Sequence, residues 1–147
     1  MPEDMEDAVL RKDWFLEFLT RLANSTGVEW PITLNVRGLV VTGLVVSAEK
    51  YFEAIAKTVT PPITADPETV KASEAFRSYL EGVAEESAEA FKKEEEEEVT
   101  IEYINLKDAQ LLIGPDFVPT DNKVWWRGKL SAVDGYIIGT LSKGPIA

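Results

Sequence analysis

The sequence predicts an α+β chain: a small antiparallel five-stranded β-barrel or strongly bent sheet, with an N-terminal helix and a helical insertion between its second and third strands. Three observations carry that expectation. Two glycine-punctuated β segments, Ile32–Phe52 (ITLNVRGLVVTGLVVSAEKYF) and Val124–Ser142 (VWWRGKLSAVDGYIIGTLS), stand far apart in the chain. A third run, Val99–Ile113, alternates apolar and polar residues over its first half. Segments of helical periodicity open the chain and separate the first β segment from the third. A length of 147 residues makes one domain, spanning 1–147, the simplest division, and it is enough to bury a core without staples.

The first helix is expected over residues 5–25. Met5, Val9, Leu16, Leu19 and Ala23 recur at helical spacing, reinforced by Phe15, Phe18 and Leu22. Asn24-Ser25-Thr26-Gly27 is a stop signal. Residues 32–46 supply two strands. Ile32, Leu34 and Val36 alternate with Thr33 and Asn35, which predicts one buried face. Gly38 marks a tight turn or a bulge. Leu39–Val46 reads as a more deeply buried strand, in which Gly43 marks a bend or a close backbone approach.

The helical insertion is expected over about residues 47–98. Ser47 caps a helix over Ala48–Thr58, with Tyr51, Phe52 and Ile55 on one face. Thr60–Pro67 is a linker, because prolines in series cannot continue a helix. Asp66-Pro67 then starts a long helix, expected to reach about Glu97, with Val70, Phe76, Leu80, Val83, Ser87 and Phe91 as its apolar stripe. The glutamate run Glu94–Glu98 opposes the negative end of the helix dipole and predicts fraying. The remaining strands fall at about 99–113 and 124–141, separated by the turn-rich loop Gly114–Lys123. Val124–Val133 and Tyr136–Leu141 are expected to pair as a hairpin across Asp134-Gly135, a strong two-residue turn signal.

Composition excludes several chemistries. Cysteine and histidine are both absent, which removes thiolate nucleophiles, disulfides, the commonest general base and the commonest transition-metal ligand. Catalytic Ser-His-Asp triads, cysteine proteases and Cys/His zinc sites fall together. The opening MPEDMEDAV is acidic where a signal peptide would be basic. No window approaches the roughly 18–20 apolar residues of a membrane span, so a soluble, cytoplasmic protein with no membrane partner is expected. The net charge of −11 is concentrated in Glu81–Glu98, where nine acids face only Lys92 and Lys93. Such acidity repels nucleic acid and anionic membranes and attracts basic surfaces.

Any catalyst here would need carboxylates, lysine, tyrosine or serine. Asp108, Asp116, Asp121 and Asp134 lie in or beside expected loops, and two carboxylates about 5–9.5 Å apart can hydrolyse a glycoside. Reading them as turn residues and solvated acids is simpler. Asp116, Asp121 and the glutamates match no EF-hand spacing, and RGLVVTG around Gly38 and Gly43 matches no phosphate-binding fingerprint. No catalytic residue, cofactor or metal is therefore expected.

Trp125-Trp126-Arg127 points to a partner. Adjacent strand residues face opposite ways. One tryptophan should enter the core while the other faces solvent or a partner, or is covered by the long helix. Exposed tryptophan beside arginine is hot-spot chemistry. The Phe91 end of the long helix, with Glu94, Glu95 and Glu96, is the other candidate: a charged dock for a basic partner, or a face for a second copy.

These runs carry a family resemblance. Through LNVRGLVVTGLVVSAEKYF, INLKDAQ and VWWRGKLSAVDGYIIGTLS the chain resembles the gas-vesicle accessory protein U family, over Leu34–Phe52 and about Tyr103–Ser142; Thr60–Glu98 carries little of the likeness. The resemblance implies a non-enzymatic, intracellular accessory of the gas-filled organelle that gives microbes buoyancy. Its partners would be the vesicle shell, other gas vesicle proteins and further copies of itself, and its role assembly, organisation or clustering. A more distant resemblance is to Sm-like RNA-binding barrels. Gly38, Gly43 and Leu44 match that family's glycine-marked bent strand, while Asn105-Leu106 and Arg127-Gly128 fall at its later motifs. It implies an Sm-like or SH3-like barrel, and as an alternative function an oligomeric scaffold or RNA binder touching RNA through Asn105 and Arg127. The long insertion, Lys129 after Arg-Gly and the acidic balance all depart from that pattern, so nucleic acid is not the expected partner.

Overall fold

The computed structural model describes residues 12–92 and 99–142. Among them the chain runs α1 (Trp14–Thr26), β1 (Trp30–Val36), β2 (Leu39–Val46), α2 (Ala48–Thr58), α3 (Pro67–Lys92), β3 (Tyr103–Ile113), β4 (Asp116–Val118), β5 (Val124–Lys129), a 3-10 turn (Leu130–Ala132) and β6 (Val133–Ile138). The class is α+β, with three helices and one six-stranded antiparallel sheet among the described residues. None of these helices is long and apolar enough to cross a membrane.

Local chemistry sets the helix ends. Asp13 caps α1, its carboxylate accepting from the Phe15 and Leu16 amides at 3.0 and 2.9 Å. That cap ends the helix at its N-terminal side, so Lys12 and Asp13 are not helical as expected; residues 5–11 lie outside the described residues. Gly27, at φ 77°, closes the other end by donating to the Ala23 carbonyl. Asp66 caps α3 through the Thr69 amide at 2.7 Å. The inward stripe of α3 differs from expectation. Leu80 and Ala84 are buried, but Phe76 is 52% exposed. Arg77 turns inward instead, its guanidinium donating to the Val59 carbonyl at the end of α2.

β1 and β2 form a hairpin, from Trp30 opposite Val45 to Val36 opposite Leu39. Its two turn residues, Arg37 and Gly38, both have positive φ, 51° and 90°, the twist that suits a two-residue hairpin. Asn35 Oδ1 accepts from the Gly38 amide at 2.9 Å, and Asp134 Oδ2 accepts from the Arg37 amide at 2.8 Å. Where β2 meets β3 the register slips between Thr42 and Leu44. β3 has an extra residue there, and Asp108 takes φ 52°, a bulge that bends the strand. Gly43 faces this bulge. A Cβ on it would stand 3.0 Å from the Lys107 carbonyl oxygen and 3.2 Å from Ala109 Cα, which is the close backbone approach expected at that glycine.

The length of β3 lets it pair twice along one edge, with β5 over Tyr103–Ala109 and with β4 over Leu111–Ile113. β6 pairs with β1 at the other end of the sheet. The three-residue turn Leu130–Ala132 nevertheless joins β5 directly to β6. The sheet therefore curls until its two ends come near each other, and no ladder between β5 and β6 closes it among the described residues. Three expectations are corrected here. Asp134-Gly135 is no hairpin turn: both residues lie inside β6, with Gly135 opposite Asn35, and pairing with β1 outweighs the local turn signal. The expected five strands become six because Asp116–Val118, inside the expected loop, adds to β3. The third strand also starts at Tyr103 rather than Val99. Upstream carbonyls are used elsewhere, that of Ile101 by Lys12 Nζ and that of Glu102 by the Leu130 amide.

The core joins α1 to the curled sheet through Leu16, Ala23, Ile32, Leu34, Val41 and Leu106, with further apolar neighbours. Each large aliphatic side chain so buried contributes about 1.5–3 kcal/mol. The other face of β1 was expected to be solvated, yet Thr33 is only 3% exposed. Residues 139–141 cross over it. The Thr33 hydroxyl donates to the Gly139 carbonyl at 2.9 Å, Thr42 Oγ1 lies 3.0 Å from Thr33 Oγ1, and the Leu141 amide donates to Thr42 Oγ1 at 2.9 Å. The donors run in one direction, so each buried hydroxyl both gives and receives a hydrogen bond.

Candidate functional site

The β3–β5 register sets Asn105 opposite Arg127. Arg127 Nη1 donates to Asn105 Oδ1 at 2.8 Å, and Asn105 is 1% exposed. Three aromatic rings surround the guanidinium, whose carbon lies 4.2 Å from the Tyr103 ring centroid, 5.0 Å from that of Phe52 and 5.9 Å from that of Tyr51. Tyr51 and Phe52 come from the start of α2, which is set by the Ser47 cap on the Lys50 amide at 3.1 Å. Tyr103 stands two residues before Asn105 on β3, and so on the same sheet face. Each cation–π contact contributes about 0.5–2 kcal/mol. Burial pulls the guanidinium below its ordinary value, while Tyr51 and Tyr103 act in the opposite direction; arginine remains charged throughout.

No carboxylate pairs with Arg127 among the described residues. Its side chain opens into a cleft of about 440 Å³ lined by Phe52, Phe91, Tyr103, Asn105 and Arg127, with Glu102 also on the wall. The far end of α3, the start of α2 and the paired strands thus meet at one charged group.

Trp125 lies on the same face of β5 as Arg127. Its ring meets Tyr51 edge-on, with centroids 6.4 Å apart, so α2 rather than the long helix half-covers it. It borders a second cleft of about 440 Å³ with Glu29, Lys50, Glu53, Lys57 and Lys107. There Glu29 is shared by Lys50 and Lys107 at 3.2 and 3.7 Å. Trp126 faces the other way and packs against the core, its indole lying across Gly128. A Cβ on that glycine would fall 2.3 Å from the ring.

A separate polar contact ties α1 to β6. Asp13 Oδ1 accepts from Tyr136 Oη at 2.9 Å, and the Phe15 ring stacks on Tyr136 at 6.5 Å. Asp13 is held below its ordinary value of 3.8, chiefly by the Leu16 amide, with Tyr136 and the Phe15 amide adding to it against burial. Tyr136 is raised above 10.0 by burial and then by Asp13.

The structure therefore brings Phe91, Asn105 and Arg127 to one cleft and sets Trp125 beside it, while Trp126 belongs to the core side of the strand. Glu94, Glu95 and Glu96 lie outside the described residues. The aromatic box of Tyr51, Phe52 and Tyr103 was not anticipated as a site. Its signal was the position of Tyr51-Phe52 just after the Ser47 cap, and of Tyr103 at i−2 from Asn105. Of the loop aspartates, Asp134 is engaged by the Arg37 amide, Asp108 is the bulge residue and Asp116 opens β4.

Fold and site together define an α+β protein that displays an arginine–aromatic cleft on one face of a curled antiparallel sheet. The family model described as "Gas vesicle protein GvpU-like" matches residues 13–141. The chain belongs to this family of gas vesicle proteins, and the match includes Thr60–Glu98, which carries little of the resemblance in the sequence runs. No curated protein and no solved structure matches it.

Proposed function

We propose that this chain is a non-enzymatic gas vesicle accessory protein of the cytoplasm, working as one domain. It attaches to the vesicle shell or to other gas vesicle proteins, associates with its own copies, and so aids assembly or clustering of vesicles. Family membership over residues 13–141 carries the reading. The binding role is supported by Trp125, Arg127 and Phe91, residue types that dominate interface energies, gathered around α2 with Trp126 anchoring the strand behind them. The acidic run containing Glu94, Glu95 and Glu96 favours a basic partner surface, with an attraction that weakens as salt rises. On a repetitive shell, weak contacts multiply through effective concentration. Flotation with purified gas vesicles tests this: the protein should rise with the vesicles at low and moderate salt. Its complete retention in the clear subnatant would refute the role.

One observation favours a second reading, that of an Sm-like RNA-binding or oligomeric scaffold barrel. Asn105 and Arg127, the two residues the Sm-like resemblance marks, are hydrogen-bonded at 2.8 Å. This reading requires a gel shift with uridine- or adenosine-rich RNA at low salt, and its absence removes it.

A further inference from the structure

We propose that the Arg127 cleft is a carboxylate site, which receives an acidic side chain of a partner protein together with an adjoining aliphatic side chain. The proposal rests on the partner-binding reading above and names the chemistry of the contact. A guanidinium carries five N–H donors, and Arg127 makes one hydrogen bond, to Asn105, among the described residues. The three rings hold the group in place, so it cannot swing into bulk water without losing them. A half-buried cation with open donors and fixed orientation is arranged for an anion.

Asn105 adds to this arrangement. An Nη donor can face only an acceptor, so the Asn105 oxygen points at Arg127 and its amide nitrogen, a two-proton donor, points elsewhere. No acceptor takes that nitrogen's protons among the described residues. The cleft of about 440 Å³ is bounded by Phe52, Phe91, Ala48 and Ala90 on its apolar side. A carboxylate would meet the arginine fork while a neighbouring aliphatic chain covers the rings. Local charge agrees: although the chain is acidic overall, Lys12 and Lys129 flank Tyr103 in the adjoining cleft, where Glu102 is the only acid among the described residues.

A planar carboxylate matches the fork in a bidentate way. A nucleic-acid strand needs several phosphate contacts along a basic track, and this site has one half-buried arginine in a chain of net charge −11. A carboxylate on a protein is therefore the better fit.

The test follows the Arg127 Nε–H resonance of the full chain by NMR during titration with three probes: N-acetyl-leucyl-glutamyl amide, its glutaminyl analogue, and uridine monophosphate. The glutamyl peptide should shift the resonance saturably and bind about tenfold more tightly than the glutaminyl one. Arg127→Lys, which keeps the charge and loses the fork, should weaken it by about tenfold. Equal binding of both peptides, saturation by uridine monophosphate alone, or no saturable shift up to the solubility limit would each overturn the proposal. If Arg127→Lys fails to fold, the comparison of peptides on the native chain still decides. Vesicle flotation on the same preparation separates the two readings. Flotation without peptide binding removes the cleft and leaves the accessory role, while peptide binding without flotation does the reverse.

Discussion

Gly128 gives a test of the packing that sets the β5 side of the site. Its Cβ, if present, would lie 2.3, 2.8 and 2.9 Å from three ring atoms of Trp126. The indole is rigid, so Gly128→Ala forces the ring to rotate or β5 to move away from β3. Overpacking of this kind costs about 1–3 kcal/mol. Restricting the unfolded chain returns about 0.4–1 kcal/mol, leaving a net loss of up to about 2.5 kcal/mol. For a chain of this size each kcal/mol moves Tm by about 2–4 °C, so the midpoint should fall by up to about 10 °C. Thermal and urea unfolding measure this, with Gly82→Ala as the opposite control. Nothing lies within 4 Å of a Cβ at Gly82, and inside α3 that change should stabilise by about 0.5–1 kcal/mol. The decisive measurement is a double-mutant cycle. In a Trp126→Leu background Gly128→Ala should cost almost nothing; an equal cost in both backgrounds would show that the indole is not the cause.

Other expectations follow from the polar contacts. Asp13 has a lowered folded-state pKa, so the stability it contributes is present above its ordinary value of 3.8 and is lost as pH falls through the folded value. Asp13→Asn keeps the capping oxygen and should flatten the acid limb of a Tm-against-pH curve, whereas Asp13→Ala should cost about 0.5–2 kcal/mol at neutral pH. Tyr136 has a raised value, so its contribution holds below 10.0 and disappears as pH rises through the folded value; Tyr136→Phe should remove that part of the alkaline limb. Thr42→Val strands the Leu141 amide and takes one of the two hydrogen bonds of Thr33, which keeps the Gly139 carbonyl. It should cost about 1–3 kcal/mol and speed hydrogen exchange at Leu141, and unchanged exchange there would mean that the tail is held by something else.

Short-range signals were legible wherever one residue type has one physical use. Gly38 in a hairpin turn, Gly43 against a bulge, Gly27 ending α1 and Asp66-Pro67 opening α3 all read directly from the chain. The signals that failed were those a distant partner could override. Asp134-Gly135 has the local chemistry of a turn, but β1 and the Arg37 amide claim it. Phe76 fits a helical stripe, yet Arg77 takes the inward place because the Val59 carbonyl lies within its reach. Thr33 alternates as a surface residue should, and the crossing tail buries it. The site behaved in the same way. Asn105, Arg127 and Phe91 stood out individually, while the ring of Tyr51, Phe52 and Tyr103 required the register between β3 and β5 and the placement of α2 against them.

The pairing of β6 with β1 also bears on how the chain is made. The Thr33 hydroxyl reaches a carbonyl 106 residues further on, so one of the earliest strands to leave the ribosome waits for one of the last before its outer edge is covered. Until then β1 and β2 expose open backbone beside Ile32, Leu34 and Val41, the kind of surface that invites pairing with a neighbouring nascent chain. Contacts this distant in sequence also slow folding relative to a helical domain of equal length. Translation that stalls before residue 133 should therefore leave a sticky, half-wrapped product, and prompt completion of the last strand is what protects the newborn protein from its siblings.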